Sequence, residues 1–178
     1  RTPIHAVLGM DEMILRESRE DNIKEYAMDI QNAGQTLLSL INDILDISKI
    51  ESGKLEIIPV DYDFSSLIHD VMNMMQMKAK DKDLLFLLNV DEKIPSRMLG
   101  DDVRIRQVLV NIINNAIKYT EHGSVTLDVK ADIEGDMAAV TFSVEDTGIG
   151  IKKEDMQKLF AEFERIEEEK NRKIEGTG

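Results

Sequence analysis

The chain has 178 residues, a formal net charge of −13 and no cysteine. The missing cysteines exclude disulfides, thiolate metal sites and cysteine nucleophiles, and so acidic a surface repels phosphate backbones, which argues against a nucleic-acid partner. Hydrophobic residues at 42% suffice for a core, yet no apolar run reaches the roughly 18 residues that a membrane span needs, so no membrane contact is expected within this segment.

Residues 1–18 predict a helix, because Ile4, Val7, Leu8 and Ile14 recur at helical spacing with Met10 and Met13 beside them. A polar connection at Arg19 to Asp21 leads into a long helix. There Ile23, Ala27, Ile30, Gly34, Leu37, Ile41 and Ile44 alternate in steps of four and three, a sustained heptad seam. Leu38, Leu40, Leu45 and Ile47 widen it. Packing within one helical hairpin is one outcome. Two helices alone cannot bury so wide an apolar face, so the favoured outcome is a hairpin that dimerises into a four-helix bundle.

Ser52-Gly53 stops this helix, and the domain boundary is expected there, with units at 1–53 and 54–178. Leu55 to Val60 is strand-like. Asp63 or Ser65 can cap a helix that runs to about Lys80. Leu84 to Val90 suggests a buried strand. Asp101 stands where an N-cap belongs for a helix reaching Tyr119. Val125–Ala131 and Ala138–Val144 alternate apolar and polar residues around Glu134-Gly135-Asp136, which predicts a β-hairpin. The later part is therefore expected to be α+β, with helices on one face of a mixed or antiparallel sheet.

The 101–119 helix carries the chemistry. Val108, Leu109, Ile112, Ile113, Ala116 and Ile117 are expected to face the core. Asn111, Asn115 and Lys118 lie at i, i+4 and i+7 and share another face, with Tyr119 following. Asparagine disfavours helix interiors, so these invite a functional explanation, although a solvated face is the plain alternative. An amide oxygen is a suitable hard ligand for Mg²⁺, and an amide NH₂ or an ammonium can meet phosphate oxygens. Asn114 lies off the stripe and is assigned no role. Further on, Asp146-Thr147-Gly148-Ile149-Gly150 follows a strand. The carboxylate can accept from an exocyclic amine such as adenine N6, and the glycines let backbone approach a flat base. An ordinary turn is the alternative. Together the two segments suggest a pocket for a Mg-nucleotide.

Gly176-Thr177-Gly178 could contact phosphates through backbone N–H groups, or form a tail. Phe160 and Phe163 suit core packing or a lid anchor, and Glu167-Glu168-Glu169 a solvated surface. His5, His69 and His122 have no partners at metal spacing.

Taken in order, these residues resemble the transmitter core of a bacterial sensor histidine kinase of the hybrid type. Arg1-Thr2-Pro3 is similar to the second half of that family's H box. The helix with Asn111, Asn115, Lys118 and Tyr119 is similar to the N box. Asp146, Gly148 and Gly150 resemble the G1 box, Leu159-Phe160-Ala161-Glu162-Phe163-Glu164-Arg165 the F box, and Gly176-Thr177-Gly178 the opening of the G2 box.

The resemblance implies a dimeric helical hairpin, a four-helix bundle as dimer, followed by an α/β sandwich ATP-binding domain of the histidine kinase, gyrase and chaperone type. It implies a protein-histidine kinase that autophosphorylates from ATP and passes phosphate to an aspartate on a receiver domain. Asn111 would hold Mg²⁺, Asn115 and Lys118 would meet phosphates, Tyr119 would line the nucleotide site, and Asp146 would read adenine. Gly176, Thr177 and Gly178 would belong to a lid over the phosphates. In the family the acceptor histidine stands three residues before the Arg of Arg-Thr-Pro, so here it is expected upstream of Arg1, and His5 is not the acceptor. The 54–178 domain is expected to be incomplete at its end, and the whole to be an inactive fragment of a longer protein. A cytoplasmic location is expected, with any membrane anchor upstream. The competing classes are a pseudokinase or docking module that binds nucleotide without transfer, and another ATPase of the same superfamily. The heptad helix and Arg-Thr-Pro speak against the last.

Overall fold

The computed structural model describes residues 2–153 and Met156. The chain divides into two compact units, Arg1–Glu56 and Ile57–Gly178.

The first unit is a helical hairpin of α1 (Thr2–Glu17) and α2 (Asp21–Glu51). At the turn, Ser18 N–H donates to Ile14 O at 2.8 Å and Glu20 N–H to Ser18 Oγ at 3.2 Å. Gly34 lets the helices approach, since a Cβ there would lie 3.2 Å from Leu8 Cγ. Gly53, at φ +64°, ends the unit's long helix in the left-handed conformation that glycine adopts freely. Lys54 N–H and Leu55 N–H then fold back onto Lys49 O.

Only part of the heptad seam is covered within one chain. Ala27 is buried, and Ile23, Gly34, Leu38 and Ile41 are half-buried. Ile30, Leu37 and Ile44 remain exposed on α2, as do Val7, Met10, Met13 and Ile14 on α1. The hairpin also buries a polar residue. Asp11 of α1 is 2% exposed, and neither carboxylate oxygen has a hydrogen-bond partner among the described residues.

The second unit begins with β1 (Val60–Asp63), followed by α3 (Phe64–Asp81), β2 (Leu85–Val90), β3 (Arg97–Gly100), α4 (Asp102–Tyr119), β4 (Ser124–Glu134) and β5 (Met137–Asp146). Strands β1 and β3 form an antiparallel ribbon with Val60 opposite Gly100. The larger sheet runs β2-β4-β5. β2 is parallel to β4, and β4 is antiparallel to β5 around the Glu134–Met137 turn. The sheet is therefore mixed. Helices α3 and α4 pack on one face of it, and a single hydrophobic core lies between.

The core joins Leu67, Val71 and Met75 of α3, Leu109 and Ile113 of α4, and Val125, Leu127 and Val129 of β4, all 2% exposed or less. Such burial contributes about 1.5–3 kcal/mol per side chain relative to exposure. Between the helices, Arg106 pairs with Asp70 at 2.6 Å and, on its own helix, with Asp102 at 3.5 Å. Phe64 stacks on Phe142 with ring centroids 6.3 Å apart.

Three expectations need correction. The strand expected at Leu55–Val60 starts only at Val60, directly after Pro59. Proline has no N–H for a ladder, and Ile57 and Ile58 before it are exposed. Strand β3 was not expected, because Arg97-Met98-Leu99-Gly100 is too short to show a pattern. The run Leu84–Val90 is a strand but not a wholly buried one. Leu85 and Leu87 are exposed, because β2 is an edge strand and helices cover only one face of the sheet.

Helices α3 and α4 both start on aspartate caps. Asp63 Oδ1 accepts from Ser66 N–H at 2.7 Å and from the Ser65 hydroxyl at 2.5 Å. Asp101 Oδ1 accepts from Arg104 N–H, and its Oδ2 from Ile58 N–H, both at 3.0 Å. These bonds hold both carboxyls below the ordinary carboxylate range: the Ser65 hydroxyl and Ser66 N–H for Asp63, the Ile58 and Arg104 N–H groups for Asp101. A carboxyl whose folded pKa is depressed stabilises the fold fully above its unfolded value, and loses that contribution as pH falls through the folded value. The melting temperature of the second unit is therefore expected to fall below about pH 4. Asp101→Asn keeps an acceptor for Arg104 N–H without titrating, so its melting temperature should fall less steeply over that acid range. Identical acid limbs in parallel calorimetric scans would refute the assignment.

Candidate functional site

Helix α4 has two faces. Leu109, Ile113, Ala116 and Ile117 are buried against the sheet. Asn111 and Asn115 are exposed on the other side, and Lys118 and Tyr119 are half-buried at the helix end. Val108 and Ile112, expected in the core, are instead 56% and 47% exposed. They stand beside the two asparagines at i+3 and i+4 steps, on the face turned away from the sheet. The buried stripe is narrower than apolar spacing alone suggested. From Asn111 to Tyr119 the open face runs for about 12 Å of helix.

The asparagine amides fit a bound ligand. Among the described residues, neither Asn111 nor Asn115 has a side-chain hydrogen-bond partner. Asn114, by contrast, accepts from Lys78 Nζ at 3.0 Å and ties α4 to α3. The Lys118 ammonium lies 4.9 Å from the centre of the Tyr119 ring, within cation–π reach. Among the described residues no cluster of histidine and carboxylate groups could hold a metal ion. A cation at this face would therefore rest on amide oxygen and on oxygens of its own ligand.

The turn after β5 packs directly on the end of α4. Asp146 Oδ1 accepts from Gly148 N–H at 2.9 Å, which fixes the carboxylate, while Oδ2 has no described partner. That free oxygen can accept from an amine. Ile149 N–H donates to Tyr119 O at 3.3 Å. Gly148 sits so close to the helix end that a Cβ would collide with Tyr119 O and lie 2.9 Å from Thr120 Oγ1. Thr147 closes the other side. Its N–H donates to Ser124 O at 3.1 Å, and its hydroxyl accepts from Ser124 N–H at 3.0 Å. Gly150 follows at φ +67° with open space around it.

The fold thus brings Tyr119, Gly148 and Ile149 into direct contact, with Asp146 pinned by the same turn. Gly176, Thr177 and Gly178 lie outside the described residues, as do Phe160 and Phe163. His5 and His69 are exposed and isolated on their helices. His122 is exposed too, and its carbonyl accepts from Thr147 Oγ1 at 3.3 Å. Two further residues shape the site from behind. Thr120 is fully buried and donates to Ala116 O at 2.8 Å. Lys82 reaches the α4 end from the α3–β2 junction. No local pattern announces Lys82, because its partners lie 35 to 38 positions away.

Residues 1–53 match the family described as His Kinase A (phospho-acceptor) domain, and residues 100–178 match the Histidine kinase-, DNA gyrase B-, and HSP90-like ATPase family. The chain is 38% identical over its whole length to hybrid signal transduction histidine kinase B of Dictyostelium discoideum, of which it spans 9%. It is 31% identical, again over its whole length, to the signal transduction histidine-protein kinase BarA of Escherichia coli (strain K12), of which it spans 20%. Among solved structures, full-length ShkA in complex with AMPPNP superposes with a TM-score of 0.70 at 32% identity, covering 87% of this chain and 33% of ShkA.

The close approach at Gly148 predicts a contrast between the two glycines of the turn. Gly148→Ala drives a methyl group into the Tyr119 carbonyl and should destabilise the second unit by about 1–3 kcal/mol, as overpacking does. Gly150→Ala meets no described atom, only an unfavourable left-handed backbone, and should cost about 1–2 kcal/mol. Urea unfolding measures both. A Gly148→Ala chain as stable as the parent would show that the turn does not pack on α4 in this way.

Proposed function

Because the chain belongs to the histidine kinase family, we propose that it is the transmitter core of a phosphorelay kinase: a dimerising hairpin in residues 1–53 and an ATP-binding catalytic domain in 54–178. The observation that carries this is the junction of α4 with the 146–150 turn. It sets a fixed carboxylate beside a helix face bearing an ammonium and two amides, and among the described residues the second carboxylate oxygen and both amides have no hydrogen-bond partner. The chain spans only about a tenth to a fifth of the relatives' lengths.

In this proposal Asp146 Oδ2 accepts from the exocyclic amine of adenine, while Gly148 N–H holds the other oxygen. Gly148 leaves room for the base edge next to the helix end, and Tyr119 lines the pocket. Asn115 and Lys118 meet the phosphates, with Gly176, Thr177 and Gly178 contributing backbone N–H groups. Asn111 supplies an amide oxygen to Mg²⁺, which when bound neutralises charge on the triphosphate. Transfer itself is attack by a neutral imidazole nitrogen on the γ-phosphorus, with cleavage of the bond to the bridging oxygen and departure of ADP. In this proposal that imidazole would stand three residues before the Arg of Arg1-Thr2-Pro3, as the resemblance implies. The phosphoryl group then passes to the carboxylate of a receiver-domain aspartate. We place this segment on the cytoplasmic side; no described helix is long and apolar enough to cross a membrane.

The hairpin's exposed apolar residues support a homodimer. Ile30, Leu37 and Ile44 follow one another at heptad steps and are 46–52% exposed in the single chain. Such a stripe is what a second copy would cover. The chain is expected to sediment as a dimer and Leu37→Glu as a monomer. Monomeric wild-type chain at micromolar concentration would count against this.

Asp146→Asn tests the pocket. The amide retains an oxygen for Gly148 N–H but presents an NH₂ where the free acceptor stood. Binding of Mg-ATP should weaken by about tenfold or more, with the melting temperature unchanged. Equal affinities by titration calorimetry would remove Asp146 from the site.

A further inference from the structure

We infer that Lys82 is a positioning residue for the nucleotide pocket, acting through the last turn of α4 without touching the ligand. The inference rests on the proposed assignment of Lys118, Tyr119 and Asp146 to that pocket.

Lys82 follows α3 and precedes β2. Its Nζ donates to Lys118 O at 2.8 Å, to Ile117 O at 2.9 Å and to Thr120 O at 3.1 Å. An ammonium has three protons, so all three are engaged and none remains for a phosphate. The root of the side chain is also fixed. Lys82 N–H donates to Ala79 O at 3.1 Å, Asp83 N–H to Lys80 O at 3.0 Å, and Leu84 N–H to Ala79 O at 2.9 Å. Asp83 holds the bend at φ +55°.

Two of the carbonyls it meets, Ile117 O and Lys118 O, are among those a helix leaves unpaired at its C-terminus, where the helix dipole is negative, and Thr120 O follows directly. A cation there is favoured on both counts. From the same turn emerge the Lys118 and Tyr119 side chains, and Tyr119 O accepts from Ile149 N–H in the turn that also carries Asp146. Lys82 thus clamps the carbonyls on either side of Tyr119 O. Without the ammonium three carbonyls must turn toward water. The helix end then loosens, and the seat of the 146–150 turn loosens with it. The expected consequence is a loss of nucleotide affinity greater than the accompanying loss of stability would produce.

The test uses the full 178-residue chain, titrated with Mg-ATP and melted in parallel. Lys82→Met should weaken binding roughly fivefold or more, and Lys82→Arg, which keeps charge and donors, should recover most of it. Arg106→Met is the control for lost stability, because it breaks the α3–α4 pair with Asp70 away from the α4 end. It should leave affinity within roughly twofold of the parent. If Lys82→Met binds like the parent, or loses no more affinity than Arg106→Met at a similar melting temperature, the inference is overturned. Should Lys82→Met fail to fold, Lys82→Gln takes its place, and parental affinity in that variant overturns the inference equally. Failure of this inference and failure of the site assignment are separable. Weakening by Asp146→Asn with none by Lys82→Met removes Lys82 alone. A parent chain that binds no Mg-ATP, or an Asp146→Asn chain that binds it normally, removes the assignment and this inference with it.

Discussion

The last turn of α4 carries carbonyls that no helical N–H can reach, and three separate pieces of chain are organised around satisfying them. Ala116 O takes the Thr120 hydroxyl, Ile117 O, Lys118 O and Thr120 O take the Lys82 ammonium, and Tyr119 O takes Ile149 N–H. Each bond comes from a different part of the unit: the residue after the helix, the α3–β2 junction and the turn after β5. A helix end could have been left to water at little cost. Here it is the point where the layers of the fold are joined.

That junction explains why the proposed site sits where it does. Burial of Leu109, Ile113, Ala116 and Ile117 fixes the rotation of α4, and so decides which residues look outward. The Tyr119–Ile149 bond then fixes how far along the helix the 146–150 turn lies. Gly148 is the residue that permits the contact, since its Cβ would occupy space already held by Tyr119 O. The rotation is set by the hydrophobic effect and the longitudinal position by backbone hydrogen bonds. Neither depends on the side chains of Asn111, Asn115 or Lys118, which can therefore serve a ligand.

Much of this was legible in the sequence, and the gaps have physical causes. Helices α1 to α4 declared themselves through apolar spacing together with Gly53, Asp63 and Asp101 at their ends, because capping is a local interaction. The β4–β5 hairpin was legible for the same reason. Strand β3 was not, since four residues paired with a distant ribbon partner leave no periodic trace. Val108 and Ile112 misled because apolar residues on an open helix face look the same in sequence as those in a core. Gly148 is visible in the sequence as a glycine, but its neighbour, the Tyr119 carbonyl, is not. Lys82 was silent altogether: its role depends on contacts more than thirty positions away, which composition and spacing do not encode.

The charge balance gives Lys82 a further consequence. The chain carries a formal net charge of −13, and a nucleotide triphosphate adds several more negative charges at the proposed site. Asn111 and Asn115 are neutral amides, able to orient oxygens but not to offset charge. The Lys82 ammonium is the nearby cation whose protons are all spent on carbonyls, so it strengthens the helix end without serving the phosphates. Lys118 is left as the proposed site's cation on α4, in contact with the Tyr119 ring rather than with a carboxylate. On the proposed assignment, a divalent cation carried in with the nucleotide would add to the charge neutralisation that Lys118 supplies, and the amide oxygen of Asn111 is the kind of neutral ligand that would hold it without cancelling its charge.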